Sequence, residues 1–279
     1  FGSAITNFGV EPFLKAFLQM APPPAPRMTP GGPLHPESDF FSGFVFKIQA
    51  NMNPDHRDRI AFIRICSGRF TRGMEARCDR DGRMVRLSQP QQFMAQDRTL
   101  VEEAYAGDII GVFDPGQFRI GDSLAEGGRE IRFEGIPRFP AEHFARVSPS
   151  DSMKRKQFLK GIGQLSEEGA IQVFRQPDIG TETYVVGVVG VLQLEVLEHR
   201  LRSEYGVEIR QTRLPYRFAR WIGPGPGGGL PDWRHLSLSS TTLVVLDREE
   251  HPVLLFETEW EIQWALDRNR GLELLEILP

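Results

Sequence analysis

Residues 59–74 read RIAFIRICSGRFTRGM, and this stretch decides the predicted fold of the first half of the chain. It is a run of β-branched and aromatic residues that breaks at a Ser-Gly pair, as a strand followed by a turn does. Asp81-Gly82 is a second, tight-turn signal between two further runs. About five to seven strands at this spacing predict a closed or nearly closed β-barrel, which we assign to residues 38–136. The β-rich runs are FSGFVFKIQA (41–50), RIAFIRICSG (59–68), GMEARCD (73–79), GRMVRLS (82–88), EEAYAGDIIGVF (102–113) and REIRFEG (129–135).

The second half of the chain alternates between helical and strand patterns. Helices on one face of a mixed, mainly antiparallel sheet predict an α+β domain, which we assign to residues 137–279. The predicted helices cover residues 151–165, 191–205 and 259–268, and the predicted strands cover residues 170–176, 183–189, 207–214, 241–247, 252–258 and 272–278.

The start of the chain has a different pattern from both halves. Residues 1–21 read as the end of a strand, a Gly/Asn turn and a short amphipathic helix, which we interpret as the remnant of the end of another domain. Residues 22–37 are so rich in proline that they predict an interdomain linker through which neither helix nor sheet continues. Because the chain starts at Phe1 rather than Met, we expect its natural start to lie upstream.

Composition and charge exclude several classes of protein. The 279 residues are 40% hydrophobic, which is enough for two domain cores, and the net charge of −4 rules out a uniformly basic nucleic-acid coat. Local basic faces are still possible, because charges of the two signs can segregate on a fold. No apolar run is long enough to span a bilayer, so no membrane association is predicted. Two cysteines, Cys66 and Cys78, make no disulfide scaffold and favour a reducing, cytoplasmic location.

No catalytic motif is evident. The sequence contains no G-x-x-x-x-G-K-[ST] phosphate loop, and its histidines are scattered singly. We therefore predict no catalytic residue and no metal site. The paired acids Glu102-Glu103 and Glu167-Glu168 are interpreted as solvated charge rather than as an acid–base pair.

Several strings resemble those of a known family. Residues 59–74, with EEAYAGDIIGV (102–112) and FRIGDSL (118–124), resemble the β-barrel second domain of translational GTPases. Longer strings resemble the bacterial class II release factors within that superfamily, and the resemblance runs from Phe1 to about Trp221. Those strings are DFFSGFVFKIQANMNPDHRDRIAFIRICSG (39–68), QLSEEGAIQVFR (164–175) and VVGVVGVLQLEVLEHRLRSEYGVE (185–208).

The resemblance implies a nucleotide site of which this chain contains only one of the five motifs. Gly2-Ser3-Ala4 resembles the fifth GTPase motif, so Ser3 and Ala4 would be a remnant of the loop that contacts guanine. The other four motifs are absent from the sequence. GTP or GDP with Mg²⁺ is therefore the cofactor implied for the full-length protein, and none is expected in this chain. Micromolar nucleotide binding in calorimetry would contradict that expectation.

The resemblance also implies a role in translation termination. The two domains would dock on the ribosome for a GTPase that stimulates dissociation of the stop-codon-reading, class I release factors after peptide release. The implied partners are small-subunit rRNA and ribosomal proteins, with class I release factors reached indirectly, and the chain would be a monomer.

Basic residues at loop tips and on one helix are the candidates for rRNA contact. The guanidinium groups of arginines at loop tips can bind phosphates through two parallel hydrogen bonds. The alternative is that exposed arginines only keep the loops soluble. The helix predicted over residues 151–165 has Ser150 or Asp151 as its N-cap. Its side chains Phe158, Leu159 and Ile162 are predicted to point into the core, and a basic stripe is predicted on the opposite side. The candidates are Arg57 and Arg59 in the NPDHRDR loop, Arg69 and Arg72 around the Ser67-Gly68 hairpin, and Lys154, Arg155, Lys156 and Lys160 on the helix.

Two alternatives remain open from the sequence. The chain could be a fragment of another translational GTPase related to elongation factor G. It could also be a stand-alone RNA-, ribosome- or protein-binding module, in which case residues 1–20 would belong to the barrel's own core. Limited proteolysis in the Pro-rich segment that leaves the remainder folded would favour a severed upstream domain.

Overall fold

The computed structural model describes residues 1–50, 59–88, 90–94, 97–136, 139–177, 183–225, 228–229 and 231–277. The chain divides into two compact units, the first formed by Phe1–Ile48 with Arg59–Gly135 and the second by Gln49–Asp58 with Ile136–Pro279. None of the helices in the described ranges has the length and apolar character needed to cross a membrane.

The first unit contains one helix and a series of short strands. Helix α1 (Val10–Met20) buries none of its residues, and Phe13, Phe17 and Leu18 are exposed along it. The strands are β1 (Arg27–Thr29), β2 (Gly32–Leu34), β3 (Ser42–Ala50), β4 (Arg59–Ser67), β5 (Arg69–Thr71), β6 (Glu75–Cys78), β7 (Met84–Arg86), β8 (Gln91–Met94), β9 (Asp97–Leu100), β10 (Glu103–Tyr105), β11 (Ile109–Phe113) and β12 (Ser123–Ala125).

An antiparallel sheet in the order β7-β6-β12-β3-β4-β11-β8-β9 wraps around one apolar core, and β5 pairs separately with β10. Alternate residues point inward, as the period of a strand requires. Ile63 and Ile65 on β4, Val45 on β3 and Val112 on β11 are fully buried in that core. The predicted β-barrel type of fold is confirmed, and the Asp81-Gly82 turn joins β6 to β7 with Gly82 at φ 70°.

The Pro-rich segment contains a short hairpin, so the expectation that no sheet runs through residues 22–37 is wrong, while their assignment as an interdomain linker stays a prediction. Strands β1 and β2 form a hairpin in which Arg27 pairs with Leu34 and Thr29 with Gly32. Both strands of a two-stranded ribbon are edges, where proline is tolerated because its missing N–H can face solvent. The Arg27 guanidinium lies 3.9 Å from the centre of the Phe44 ring, which ties the hairpin to β3.

The Ser67-Gly68 pair is a bend rather than the hairpin that the sequence predicted. Strand β4 ends at Ser67, and β5 leaves the large sheet to pair with β10. Gly68 has φ 64°, and a Cβ there would lie 2.3 Å from the Phe40 carbonyl oxygen. Because no side chain fits in that space, glycine is required for the chain to change sheets at this point.

The second unit contains two four-stranded sheets, where the sequence predicted one. Their orders are β14-β15-β13-β16 and β18-β19-β17-β20, and every strand pair described in them is antiparallel. The elements are β13 (His143–Pro149), α2 (Arg155–Glu167), β14 (Gln172–Phe174), β15 (Tyr184–Val188), α3 (Leu192–Tyr205), β16 (Ile209–Leu214), β17 (Phe218–Ile222), β18 (Leu243–Leu246), β19 (Pro252–Phe256), α4 (Glu259–Arg268) and β20 (Leu274–Leu275).

Strand β13 explains the layering, because its two faces belong to different cores. Ala145 and Val147 pack with helices α2 and α3, whereas Phe144 packs with residues of the second sheet such as Trp221. Helix α4 covers the other face of the second sheet through Ile262 and Ala265. The second unit is therefore an α+β domain with a helical layer, two sheets and a further helix.

Helix α2 follows a short 3₁₀ turn, Ser152–Lys154, that Asp151 caps by accepting a hydrogen bond from the Met153 N–H. Its buried residues are Phe158, Gly161, Ile162 and Leu165, which recur at the spacing of one helix face. Leu159, predicted to face inward, is exposed instead, because Gly161 rather than Leu159 completes the buried stripe.

Two glycines in α2 give a matched test of this packing. A Cβ at Gly161 would lie 2.5 Å from Leu201 Cδ2 of α3, whereas a Cβ at Gly163 would meet no atom within 4 Å. We expect Gly161→Ala to lower the free energy of unfolding by about 1–3 kcal/mol through overpacking. Gly163→Ala, its control, should raise it by about 0.5–1 kcal/mol through helix propensity. Urea unfolding measures both, and equal effects of the two substitutions would contradict the close packing of α2 on α3.

Candidate nucleic-acid interface

The basic residues predicted on α2 lie together on its exposed side. Lys154 ends the 3₁₀ turn before α2, and Arg155, Lys156 and Lys160 lie on the faces of α2 that its buried stripe leaves to solvent. All four residues are exposed. Lys156 and Lys160 are one turn apart and project in the same direction. Within the described part of the chain, Lys154, Lys156 and Lys160 form no ion pair, so these ammonium groups are available to an anionic partner.

Arg69 and Arg72 lie at the β5 end of the small sheet, and each faces a glutamate. Arg69 Nη1 is 3.5 Å from a Glu103 carboxylate oxygen, and Arg72 Nη1 is 2.7 Å from a Glu102 oxygen. All four side chains are about half exposed or more. Exposed pairs of this kind contribute about 0–1 kcal/mol, so a phosphate can replace the glutamates at small cost.

Arg59 has a different position from the one predicted, and Arg57 lies outside the described residues. Arg59 begins strand β4 rather than standing at a loop tip, and only 15% of its side chain is exposed. Its Nε donates to the buried Asp114 carboxylate at 2.7 Å, and its Nη2 donates to the Phe118 carbonyl at 3.1 Å. This guanidinium neutralises a buried carboxylate, which the sequence pattern around residue 59 did not indicate.

Two buried aspartates shape the loop that follows β11. Asp114 Oδ1 accepts hydrogen bonds from the N–H groups of Gly116, Gln117 and Phe118. Asp122 Oδ2 accepts from the Arg119 N–H, and its carboxylate receives two further bonds from Arg80. Sequence reasoning missed both groups, although the Asp-Pro-Gly string after a strand is a known signal for a side chain that caps its own loop.

The predicted guanine-loop remnant, Ser3 and Ala4, precedes α1 at the start of the first unit. The Ser3 N–H donates to the Phe8 carbonyl at 2.9 Å, and the Ala4 carbonyl accepts from the Asn7 N–H at 3.4 Å. Asn7 has φ 56°, so the segment is a tight turn into the helix. The assignment of these residues to guanine binding stays a prediction.

Glu168 is not the solvated acid that the sequence predicted. It lies at the end of α2, and its side chain is 7% exposed. Arg200 of α3 donates to both of its oxygens and also to Glu204. Burial lowers the pKa of Arg200, but hydrogen bonds to Glu204 and Glu168 raise it above its ordinary value. The cluster therefore joins two helices and makes no acid–base site.

Both cysteines are buried in the first unit and are free thiols. Desolvation by burial raises the pKa of each to about 11. For Cys78, the nearby Asp122 carboxylate raises the pKa further. Only the thiolate is nucleophilic, so neither sulfur is suited to catalysis at neutral pH.

We expect both thiols to resist iodoacetamide at pH 8 in the folded chain. The raised pKa lowers the thiolate fraction by roughly a hundredfold, and burial blocks access. Mass spectrometry should show no alkylation within minutes under native conditions and complete alkylation in guanidinium. Rapid native alkylation of Cys66 or Cys78 would contradict this placement.

Comparison with known families agrees with the two folds. Residues 40–127 match elongation factor G domain 2, and residues 133–266 match the C-terminal domain of class II release factor RF3. The crystal structure of a Thermus thermophilus protein has a TM-score of 0.59 at 22% identity and covers 86% of this chain and 35% of that one, which is a likeness of fold alone. A barrel of the elongation factor type followed by this α+β domain is the arrangement of a class II release factor.

Full-length relatives narrow the assignment further. Peptide chain release factor 3 of Symbiobacterium thermophilum is 57% identical over 271 residues, which are 97% of this chain and 50% of that protein. The proteins of the same name from Listeria welshimeri and Lactobacillus delbrueckii are 47% and 46% identical, and each match covers 100% of this chain and 52% of the relative. The chain belongs to the peptide chain release factor 3 family. It spans about half the length of these curated relatives.

Proposed function

We propose that this chain is the ribosome-docking half of a translation termination factor. In the whole protein, a GTPase domain that uses GTP with Mg²⁺ would stimulate dissociation of the class I release factors after peptide release. Chemistry would belong to that domain, while the two units described above would hold it on the ribosome. The relatives that carry the name release factor 3, at 46–57% identity, support this proposal.

One observation favours a release factor over the other candidate functions. A match to elongation factor G domain 2 is followed, in the same chain, by a match to the release factor C-terminal domain. The barrel alone would suit any translational GTPase, including an elongation factor G relative. The match to the release factor C-terminal domain favours a release factor over an elongation factor G relative. Identity to release factors along the whole chain favours this family over a stand-alone module.

The basic residues offer a physical route for docking on rRNA. Phosphate contacts supply most of the sequence-independent affinity for nucleic acid. Such contacts require exposed cations that are not paired with buried carboxylates. Lys154, Lys156 and Lys160 satisfy that requirement on the second unit. Arg69 and Arg72 satisfy it on the first unit, because their glutamate partners are exposed and weakly held. Arg59 does not satisfy it, because its charge stabilises Asp114.

We expect Arg69→Glu with Arg72→Glu to weaken binding of this chain to 30S ribosomal subunits by about tenfold at low salt. Each lost phosphate contact should also reduce the slope of log affinity against log salt by about one. Arg202→Glu with Arg270→Glu makes the same charge change at exposed positions of the second unit and is the control. Sedimentation or fluorescence anisotropy of a labelled chain measures both quantities.

Thermal melting must first show that the double variant is folded, since new glutamates would face Glu102 and Glu103. A folded variant with the affinity and salt slope of the unchanged chain would exclude Arg69 and Arg72 from docking. Absence of 30S binding by the unchanged chain at low salt would contradict the proposed docking role altogether.

A further inference from the structure

Trp260, near the start of helix α4, is the exception among the four tryptophans of the chain. Its side chain is 67% exposed, and among the described residues no ring or guanidinium stacks on it. The other three tryptophans each have a polar or cationic partner. The Trp221 indole N–H donates to Asp247 at 3.0 Å, Arg234 lies over the Trp233 ring, and Arg268 lies over the Trp264 ring.

Helix α4 places Trp260 and Trp264 on one side, because residues four positions apart are neighbours on a helix surface. Ile262 and Ala265 point the other way, into the apolar core under the helix. Asp267 follows Trp260 by seven residues, or about two turns, and continues the same outer face. We call Trp260, Trp264 and Asp267 the aromatic stripe of α4.

One ring of the aromatic stripe already binds a cation. The guanidinium carbon of Arg268 lies 5.5 Å from the centre of the Trp264 ring, within the range of a cation–π contact. The face of an indole ring attracts cations because its π electrons make that face negative, and tryptophan does this best of the aromatic side chains. Trp260 offers the same surface one turn away, open to solvent.

The charge around the aromatic stripe also favours a cation. Residues 257–270 contain four acids and two arginines. None of the four acids forms an ion pair within the described part of the chain. Arg217, whose N–H donates to the Phe256 carbonyl just before the helix, adds one further cation nearby, so the acids remain in excess. The acids are Glu257, Glu259, Glu261 and Asp267.

Helix stability accounts for only part of this acidity. Glu259 lies in the first turn, where a negative charge stabilises the helix dipole. Asp267 lies in the last turn, where a negative charge opposes the dipole, and it is exposed. A phosphate chain would be repelled by these carboxylates, whereas a lysine or arginine side chain gains from both the carboxylates and the open ring. The surface therefore favours a basic polypeptide over RNA.

We propose that the aromatic stripe of α4 is a docking surface for a lysine- or arginine-rich segment of a partner protein. One cation of that segment would stack on Trp260. Its neighbours would pair with Glu259 and Asp267. This surface has the opposite charge preference from the α2 lysines, so the inference goes beyond the proposed docking on rRNA and does not depend on it.

A synthetic ten-residue peptide of alternating arginine and serine is the probe. In ¹⁵N-edited NMR spectra of the chain at low salt, the indole N–H signal of Trp260 is identified by its loss in Trp260→Phe. We expect this signal to shift as the peptide is added. A peptide with citrulline in place of arginine keeps the shape but not the charge, and it should bind about tenfold more weakly.

Variants of the chain separate the ring from the acids. Trp260→Ala and Trp260→Leu should each weaken binding of the arginine peptide by about threefold, because leucine restores apolar surface but no π face. Trp260→Phe should lose less. Because Trp260 is exposed, these substitutions should leave the fold intact, which urea unfolding checks.

Glu259→Gln with Asp267→Asn should also weaken binding of the arginine peptide several-fold. Glu142→Gln with Glu195→Gln removes the same charge from exposed positions of the same unit outside α4, and this control should bind the peptide as the unchanged chain does. Equal losses in the two double variants would show that only the overall charge matters and would overturn the α4 surface.

Three further results would overturn the proposal. The Trp260 signal could stay unshifted at millimolar arginine peptide, or the citrulline peptide could bind as tightly as the arginine peptide. A single-stranded uridine octamer could shift the Trp260 signal more strongly than the peptide does, which would assign the ring to RNA. None of these results bears on binding to 30S subunits, which the arginines of β5 test separately.

Discussion

A buried carboxylate must be neutralised or fully hydrogen-bonded, and this constraint determines which basic groups of the chain are free to bind a partner. Asp114 and Asp122 in the first unit are almost fully buried. Asp114 is paired with Arg59, and Asp122 with Arg80. These pairs join separate strands and loops of the barrel, so the main role of the two arginines is to stabilise the fold.

The same constraint operates in the second unit. Glu168 is paired with Arg200, and the buried Glu261 accepts from the backbone N–H groups of Glu257 and Thr258, just before α4, and from the Ser239 and Thr241 hydroxyls. Hydrogen bonds from Thr241, from the Thr258 and Glu257 backbone and from Ser239 outweigh desolvation and lower the Glu261 pKa. Cations outside such clusters, above all the lysines of α2, remain available at the surface.

Local signals in the sequence were sufficient for elements whose structure depends on neighbours in the chain. Helix α4 spans Glu259–Arg268 as predicted, because Thr258 and Glu261 form a capping box at its start. The Asp81-Gly82 turn is local in the same sense, since a glycine at positive φ closes it. The barrel type also followed from strand spacing.

Features that depend on distant residues could not be predicted in this way. The pairing of Arg59 with Asp114 joins residues 55 positions apart, and nothing near Arg59 in the sequence indicates it. The division of the second unit into two sheets depends on which strands pair across helices and loops, which periodicity does not specify. The bend at Gly68 resembled a hairpin because a Ser-Gly turn looks the same in sequence whether or not the next strand folds back.

The proposed docking role requires that this chain occupy the ribosomal site of a full-length release factor 3. Competition tests this requirement: the rate at which full-length factor with GTP removes a labelled class I release factor from post-release ribosomes is measured with increasing amounts of this chain. We expect the rate to fall as the chain saturates the ribosomes, and the Arg69→Glu, Arg72→Glu variant to inhibit less. An unchanged rate at chain concentrations far above its own dissociation constant for the ribosome would show that the chain does not occupy that site.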